Sequence, residues 1–227
     1  MKRTKRFLDI DRRWSVAFAQ QDWRGAEFWR GIKFRRKPFH SLADPFVFSK
    51  DGRNYCFVED LDHLRNHGTI TVFELTDDDS IFIGTALKED FHLSFPFLFE
   101  FEGELYMCPE TSQKKEIRIY KCIDFPLRWK LEKIVMKDIS AVDTMLFERD
   151  GKWWMLTNID PTEIGDYGSE LFVFSASSPL ESNWTAIFSI RLLLTPRGRE
   201  MPAARLMEID SLGLHKVSDL ILMESEF

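Results

Sequence analysis

The chain has 227 residues, 44% of them hydrophobic and 14% aromatic, with a formal net charge of -6. That supplies a substantial core for one globular body, and the acidic balance argues against a nucleic-acid duplex as partner, because nothing would offset phosphate repulsion. No apolar run approaches the roughly 18 residues of a membrane-crossing helix, and no signal-peptide core follows the basic start Lys2, Arg3, Lys5 and Arg6, so no membrane span and a cytoplasmic location are expected.

The first strand expected is Trp14-Ser-Val-Ala-Phe18. The run from Lys33 to Lys37, with its two arginines, reads first as a solvated face, with contact to an anionic surface as the alternative. A hairpin follows over residues 42–59. Phe46 and Phe48 alternate with smaller or polar neighbours, Asp51-Gly52 supplies a tight turn, and Tyr55, Phe57 and Glu59 return with the same period of two. The same hairpin recurs without a gap over 93–110 and 141–158. Pro45, Pro96 and Thr144 share one column, Gly52, Gly103 and Gly151 another, and Tyr55, Tyr106 and Trp154 a third, which is expected to be core.

A second pair of strands follows each hairpin. Thr69–Leu75 leads through Asp77-Asp78-Asp79 into Ile81–Ile83, Glu116–Cys122 into Lys130–Val135, and Glu170–Ala176 into Ile187–Ile190. Four strands per unit, repeated at roughly 50 residues, is the pattern of propeller blades. No long stretch carries apolar residues at helical spacing with caps, so almost no helix is expected. The fold class is therefore all-β, of the β-propeller type.

Folding each hairpin about its turn is expected to set Asp44 opposite Glu59, Phe95 opposite Glu110 and Asp143 opposite Asn158, with Cα atoms about 5 Å apart. Cys56, Cys108 and Cys122 are odd in number and lie in strand patterns, which reads as buried reduced thiols. The segment Leu61 to Gly68, with His63 and His67, reads as a polar loop rather than a zinc site, and neither metal nor cofactor is expected.

Towards the C-terminus the pattern weakens. Residues 203–219 align as a degenerate fourth hairpin in which Ser211 stands in the place of the turn glycine. A ring of about five blades at about 45 residues each needs more chain than this. The expectation is a single domain over 1–227, truncated to about four blades, with an open sheet edge suited to self-association.

Several short motifs carry a resemblance. Ala43-Asp-Pro-Phe46, the Pro-Leu and Trp elements before the fourth strands, and Val142-Asp143 resemble the five-bladed propellers of the arabinanase, levansucrase and invertase group. His92-Leu-Ser-Phe-Pro-Phe97, Pro109-Glu-Thr111, Asp124-Phe-Pro126 with Trp129, and Ala141-Val-Asp-Thr144 with Gly151-Lys-Trp-Trp154 are similar to the N-terminal propeller domain of glucosamine inositolphosphorylceramide transferases and their bacterial relatives. The likeness spans residues 12–210.

In glycosidases of this group the resemblance implies an aspartate base or nucleophile, matched by Asp44, and a second aspartate that tunes pKa and orientation, matched by Asp143. The expectation is that both meet at one channel mouth. The implied third acid, a glutamate, has no counterpart at the next blade period, which falls on Met201 to Arg205. Glu59 and Glu110 are the replacement candidates. Glu59 is favoured because a carboxylate across a hairpin from Asp44 would have its pKa raised, as protonation of a glycosidic oxygen near neutral pH requires. His92, Asn158 and Arg205 are the candidates for holding substrate.

Each residue has a structural alternative. Asp44 before a proline can cap a strand entry, Glu110 can anchor the bend that leaves its strand, and His92 can be a satisfied core group. Two functions therefore stand side by side: a carbohydrate-active propeller acting on a glycosidic bond, or a non-catalytic carbohydrate-binding or assembly module serving a transferase or formyltransferase.

Overall fold

The computed structural model describes residues 14–20, 27, 30–161, 170–191 and 220–226. The chain forms two compact units, one from Met1–Pro96 with Val217–Phe227 and the other from Phe97–Lys216. The degenerate hairpin at 203–219, including Arg205, lies outside the described residues.

In the first unit the strands are β1 (Trp14–Gln20), β2 (Ile32–Lys33), β3 (His40–Lys50), β4 (Arg53–Asp62), β5 (His67–Leu75) and β6 (Ser80–Leu87). Strands β3 to β6 form a four-stranded antiparallel meander in sequence order. Alternate residues of β4 and β5, Cys56, Val58, Phe73 and Leu75, join Val16, Phe18 and Phe34 in one buried cluster. The period of two thus does what the sequence pattern requires of it.

The next strands are β7 (Ser94–Phe101), β8 (Glu104–Glu110), β9 (Glu116–Asp124), β10 (Arg128–Lys137), β11 (Ala141–Arg149), β12 (Lys152–Ile159), β13 (Glu170–Ala176) and β14 (Thr185–Arg191). They make two further four-stranded sheets, each ordered by sequence. In the second unit Phe99 stacks on Tyr106 at 5.5 Å between ring centres and meets Trp153 edge-on at 5.6 Å. Finally, β15 (Leu220–Glu226) pairs antiparallel with β1, from Trp14 opposite Glu226 to Gln20 opposite Leu220. With β2 on the other side, β1 becomes the centre of a three-stranded sheet. Among the described residues a short 3₁₀ turn at Ser112–Lys114 lies between β8 and β9, and the fold is all-β, of the propeller type.

The three glycine turns are built alike. Asp51 and Gly52 have φ of 51° and 74°, Glu102 and Gly103 of 52° and 75°, Asp150 and Gly151 of 55° and 70°. Two successive left-handed residues define the primed turn whose twist matches the flanking strands.

The register differs from expectation. Glu59 lies opposite Ala43 rather than Asp44, and Asn158 opposite Val142 rather than Asp143. Each ladder shifts by one residue, between Ala43 and Phe46 and between Val142 and Met145. An extra residue has entered the inner strand as a bulge, which simple counting from the turn cannot register. The aromatic column also divides. Tyr106 is buried, but Tyr55 and Trp154 are half-buried, and the neighbouring Trp153 takes the interior position. Cys56 and Cys108 are buried and burial pushes their thiols up, whereas Cys122 is only half-buried.

Candidate functional site

The bulges decide where the acids point. Asp44, Phe95 and Asp143 occupy one column of the repeat, and all three adopt left-handed backbone, with φ of 50°, 45° and 53°. Aspartate tolerates that region because its short polar side chain bonds locally; phenylalanine rarely does. The left-handed conformation recurs in all three copies, and a ladder shift accompanies it at Asp44 and at Asp143. A bulge re-aims the side chain that an ordinary strand would turn to a sheet face.

In the first unit, the re-aimed Asp44 accepts a hydrogen bond at Oδ2 from the Phe95 amide, at 3.0 Å. The Phe95 ring meets Phe46 edge-on, 4.9 Å between centres. Glu59, on the central strand β4, is 8% exposed. Its Oε1 lies 3.1 Å from Nε2 of His92. The other ring nitrogen of His92 accepts the Gly68 amide at 3.0 Å. An Nδ1 that accepts leaves the proton on Nε2, so this imidazole is the neutral tautomer that donates to Glu59. Glu59, set opposite Ala43 by the register, is thus paired with a histidine.

Gly68 makes that pair possible. A Cβ there would stand 2.5 Å from the Leu93 carbonyl oxygen and 2.7 Å from Cε1 of His92. Its own carbonyl accepts the Leu93 amide at 3.1 Å. In sequence Gly68 is one residue of a polar loop, and only the approach of His92 from 24 residues away reveals why it lacks a side chain.

In the second unit, Asp143 is 8% exposed. Burial raises its pKa from 3.8 to about 6, against the lowering effect of a hydrogen bond from Asn158. That bond is long, 3.4 Å from Asn158 Nδ2 to Asp143 Oδ2. Asn158 is wholly buried, and its Oδ1 has no hydrogen-bond partner among the described residues. The flanking threonines satisfy one another. Thr157 donates to the Val142 carbonyl at 2.9 Å, which leaves Thr144 to donate to Thr157 at 2.8 Å. In this cluster the unmet acceptor is Asn158 Oδ1, which lies beside a buried acid whose pKa is raised to about 6. Asp143 keeps 8% exposure while Asn158 keeps none, so it is the Asp143 carboxyl that can take a donated hydroxyl and hold or release a proton.

Glu110, at the end of β8, accepts from the Ser112 hydroxyl at 2.7 Å, while Thr111 donates to the Glu116 carbonyl. Both bonds fasten the 3₁₀ turn. Among the described residues no group of three or more His, Cys, Asp and Glu side chains is placed to hold a metal ion.

A family model described as "Glucosamine inositolphosphorylceramide transferase 1, N-terminal" matches residues 32–189. The chain is 38% identical over 146 residues to glucosamine inositolphosphorylceramide transferase 1 of Oryza sativa subsp. japonica, and 35% identical over 146 residues to that of Arabidopsis thaliana. Each alignment covers 63% of this chain and 19% of the relative, so the chain spans about a fifth of the curated proteins it matches. Among solved structures, it is similar to a GH43 β-1,3-galactosidase, with a TM-score of 0.56 at 14% identity over 68% of this chain and 35% of that one. It is also similar to a family 117 glycoside hydrolase from Zobellia galactanivorans, with a TM-score of 0.52 at 10% identity over 78% and 62% of the two chains. At such identities the structural likeness establishes the propeller fold alone.

Proposed function

The chain belongs to the glucosamine inositolphosphorylceramide transferase N-terminal family, and from that premise we propose that it is a carbohydrate-active domain whose bulge aspartates, Asp44 and Asp143, act on a glycosidic bond. One observation carries the reading: Asp143 is buried, titrates near 6, and stands beside an amide oxygen with no partner. A sugar hydroxyl donates to the Asp143 carboxyl, which keeps 8% exposure. A carboxyl titrating near neutrality suits proton traffic at a glycosidic oxygen far better than an ordinary aspartate does. Asp44, held by the Phe95 amide, is kept as an acceptor and serves as base or nucleophile. The names of the relatives indicate a glucosamine-bearing inositol phosphate as the glycan class.

A second reading, a carbohydrate-binding module without catalysis, is favoured by one feature. Both glutamates considered for the third acid are engaged, Glu59 by His92 and Glu110 by Ser112. The two readings part in one experiment. Synthetic glucosaminyl-inositol phosphate and β-1,3-galactotriose are incubated with the chain, with Asp44→Asn and with Asp143→Asn, and binding and products are measured separately. The proposal expects products from the unaltered chain and a loss of at least about a hundredfold in Asp44→Asn with binding retained. Binding without products selects the module; no binding of either glycan defeats both.

A further inference from the structure

On the other face of the first four-stranded sheet lies a hollow of about 250 Å³. Neighbouring side chains of a strand point to opposite faces, so Asp60 looks into the hollow while Glu59 looks away from it. Leu42 and Phe73 form the floor, Phe82 a wall, and the segment Arg35, Arg36 and Lys37 the rim. The volume falls below the roughly 300–1,000 Å³ typical of drug-sized ligands, which limits an occupant to about one ring.

The charges at this hollow do not cancel. Arg35 pairs with Asp79 at 3.3 Å. Asp60 is 6% exposed and is held by His40 Nδ1 at 2.6 Å, with Lys37 Nζ 3.7 Å from its other oxygen. At that separation Lys37 and Asp60 attract without a full hydrogen bond, so Oδ2 retains capacity to accept from a hydroxyl. Arg36 donates only to the His40 carbonyl, at 3.0 Å, and is paired with no carboxylate among the described residues. Among the described residues one guanidinium charge at the rim thus has no counter-charge, and planar guanidinium is the group best shaped for carboxylate or phosphate. Phe82 is 47% exposed although aromatic, and Lys37 Nζ stands 5.1 Å from its ring centre.

We propose that this hollow binds a single sugar ring bearing one negative charge. The anionic group lies between Arg36 and Lys37. The C–H face of the ring packs on Phe82 above Leu42 and Phe73, and a hydroxyl donates to Asp60. Carboxylate and phosphate satisfy this chemistry equally, as a sugar acid or as a sugar phosphate. The site is independent of the bulge aspartates.

The test is a titration of the full chain with glucuronate, glucose 6-phosphate, glucose and inorganic phosphate, followed by NMR of the Phe82 ring and calorimetry. Both charged sugars should bind saturably, at least about tenfold more tightly than glucose, since a charge-assisted bond is at stake. Arg36→Gln should bring them down to the level of glucose. Phe82→Ala should weaken the sugars and leave inorganic phosphate unchanged, and Asp143→Asn should alter none of these affinities. Arg36 is exposed, so an unchanged urea midpoint is expected for Arg36→Gln and serves as the folding control, whereas Phe82→Ala, which loses its contact with Phe73, should unfold at a lower midpoint yet remain folded in the absence of denaturant. A preference for only one of the two charged sugars assigns the occupant's source. Glucose binding as tightly as glucuronate, inorganic phosphate as tightly as glucose 6-phosphate, an unaltered Arg36→Gln, or no binding at all would overturn the proposal.

Discussion

Asp143 is ionised at neutral pH against the preference of its surroundings. Its pKa is about 6 in the fold and 3.8 in an ordinary aspartate. Between these values the folded protein holds a proton that the unfolded chain has released, so stability falls as pH rises from about 4 to about 6. Above that window the penalty is constant, on the order of 2–3 kcal/mol, because one pKa unit corresponds to about 1.4 kcal/mol. Asp143→Asn should therefore be more stable than the unaltered chain at pH 7.5, and the advantage should shrink towards pH 4; urea unfolding at the two pH values measures it. An equal difference at both would mean that the carboxyl is not penalised. Gly68 makes the opposite point. Gly68→Ala should destabilise by roughly 1–3 kcal/mol, because the new methyl meets a backbone oxygen that has no room to yield. It should also shift the His92 ring resonances, which a purely local effect on the loop would leave in place.

At the level of elements, the repeat made most of the fold legible. The glycine columns located the turns, and the period of two located the strands on either side. Since nothing lies within 4 Å of a Cβ built at Gly52, Gly103 or Gly151, only backbone conformation resists substitution there. Alanine at each should lower the urea midpoint by the equivalent of about 1–2 kcal/mol, nearly equal at all three. Unequal values would mean that the turns are not equivalent. What remained hidden was the bulge. Asp44-Pro45, Phe95-Pro96 and Asp143-Thr144 share no residue across all three copies that announces an extra position, and its effect is a one-residue shift that moves Glu59 from Asp44 to Ala43. The partner of Glu59 was equally illegible, since His92 reaches it from another strand connection and bonds through both ring nitrogens. Asp143 and Asn158, although not directly opposite, do come together, because the side chains bridge what the register separates.

For the molecule as a whole, the pairing of β15 with β1 joins the last described strand to the first. Removing residues 220–227 should strip hydrogen-exchange protection from the β1 amides and leave an unpaired edge, so the shortened chain should associate with increasing concentration in sedimentation experiments. Unchanged protection of β1 would show that β15 contributes nothing to it. The family accounts for residues 32–189, and the sugar chemistry proposed for it rests on one acid being poised and open to a ligand. Carboxyl-detected NMR of Asp143, titrated from pH 3 to 8 with and without glucosaminyl-inositol phosphate, examines both properties at once. A midpoint close to 6 that moves when the glycan is added is the predicted result. A midpoint near the ordinary aspartate value, indifferent to the glycan, would contradict it.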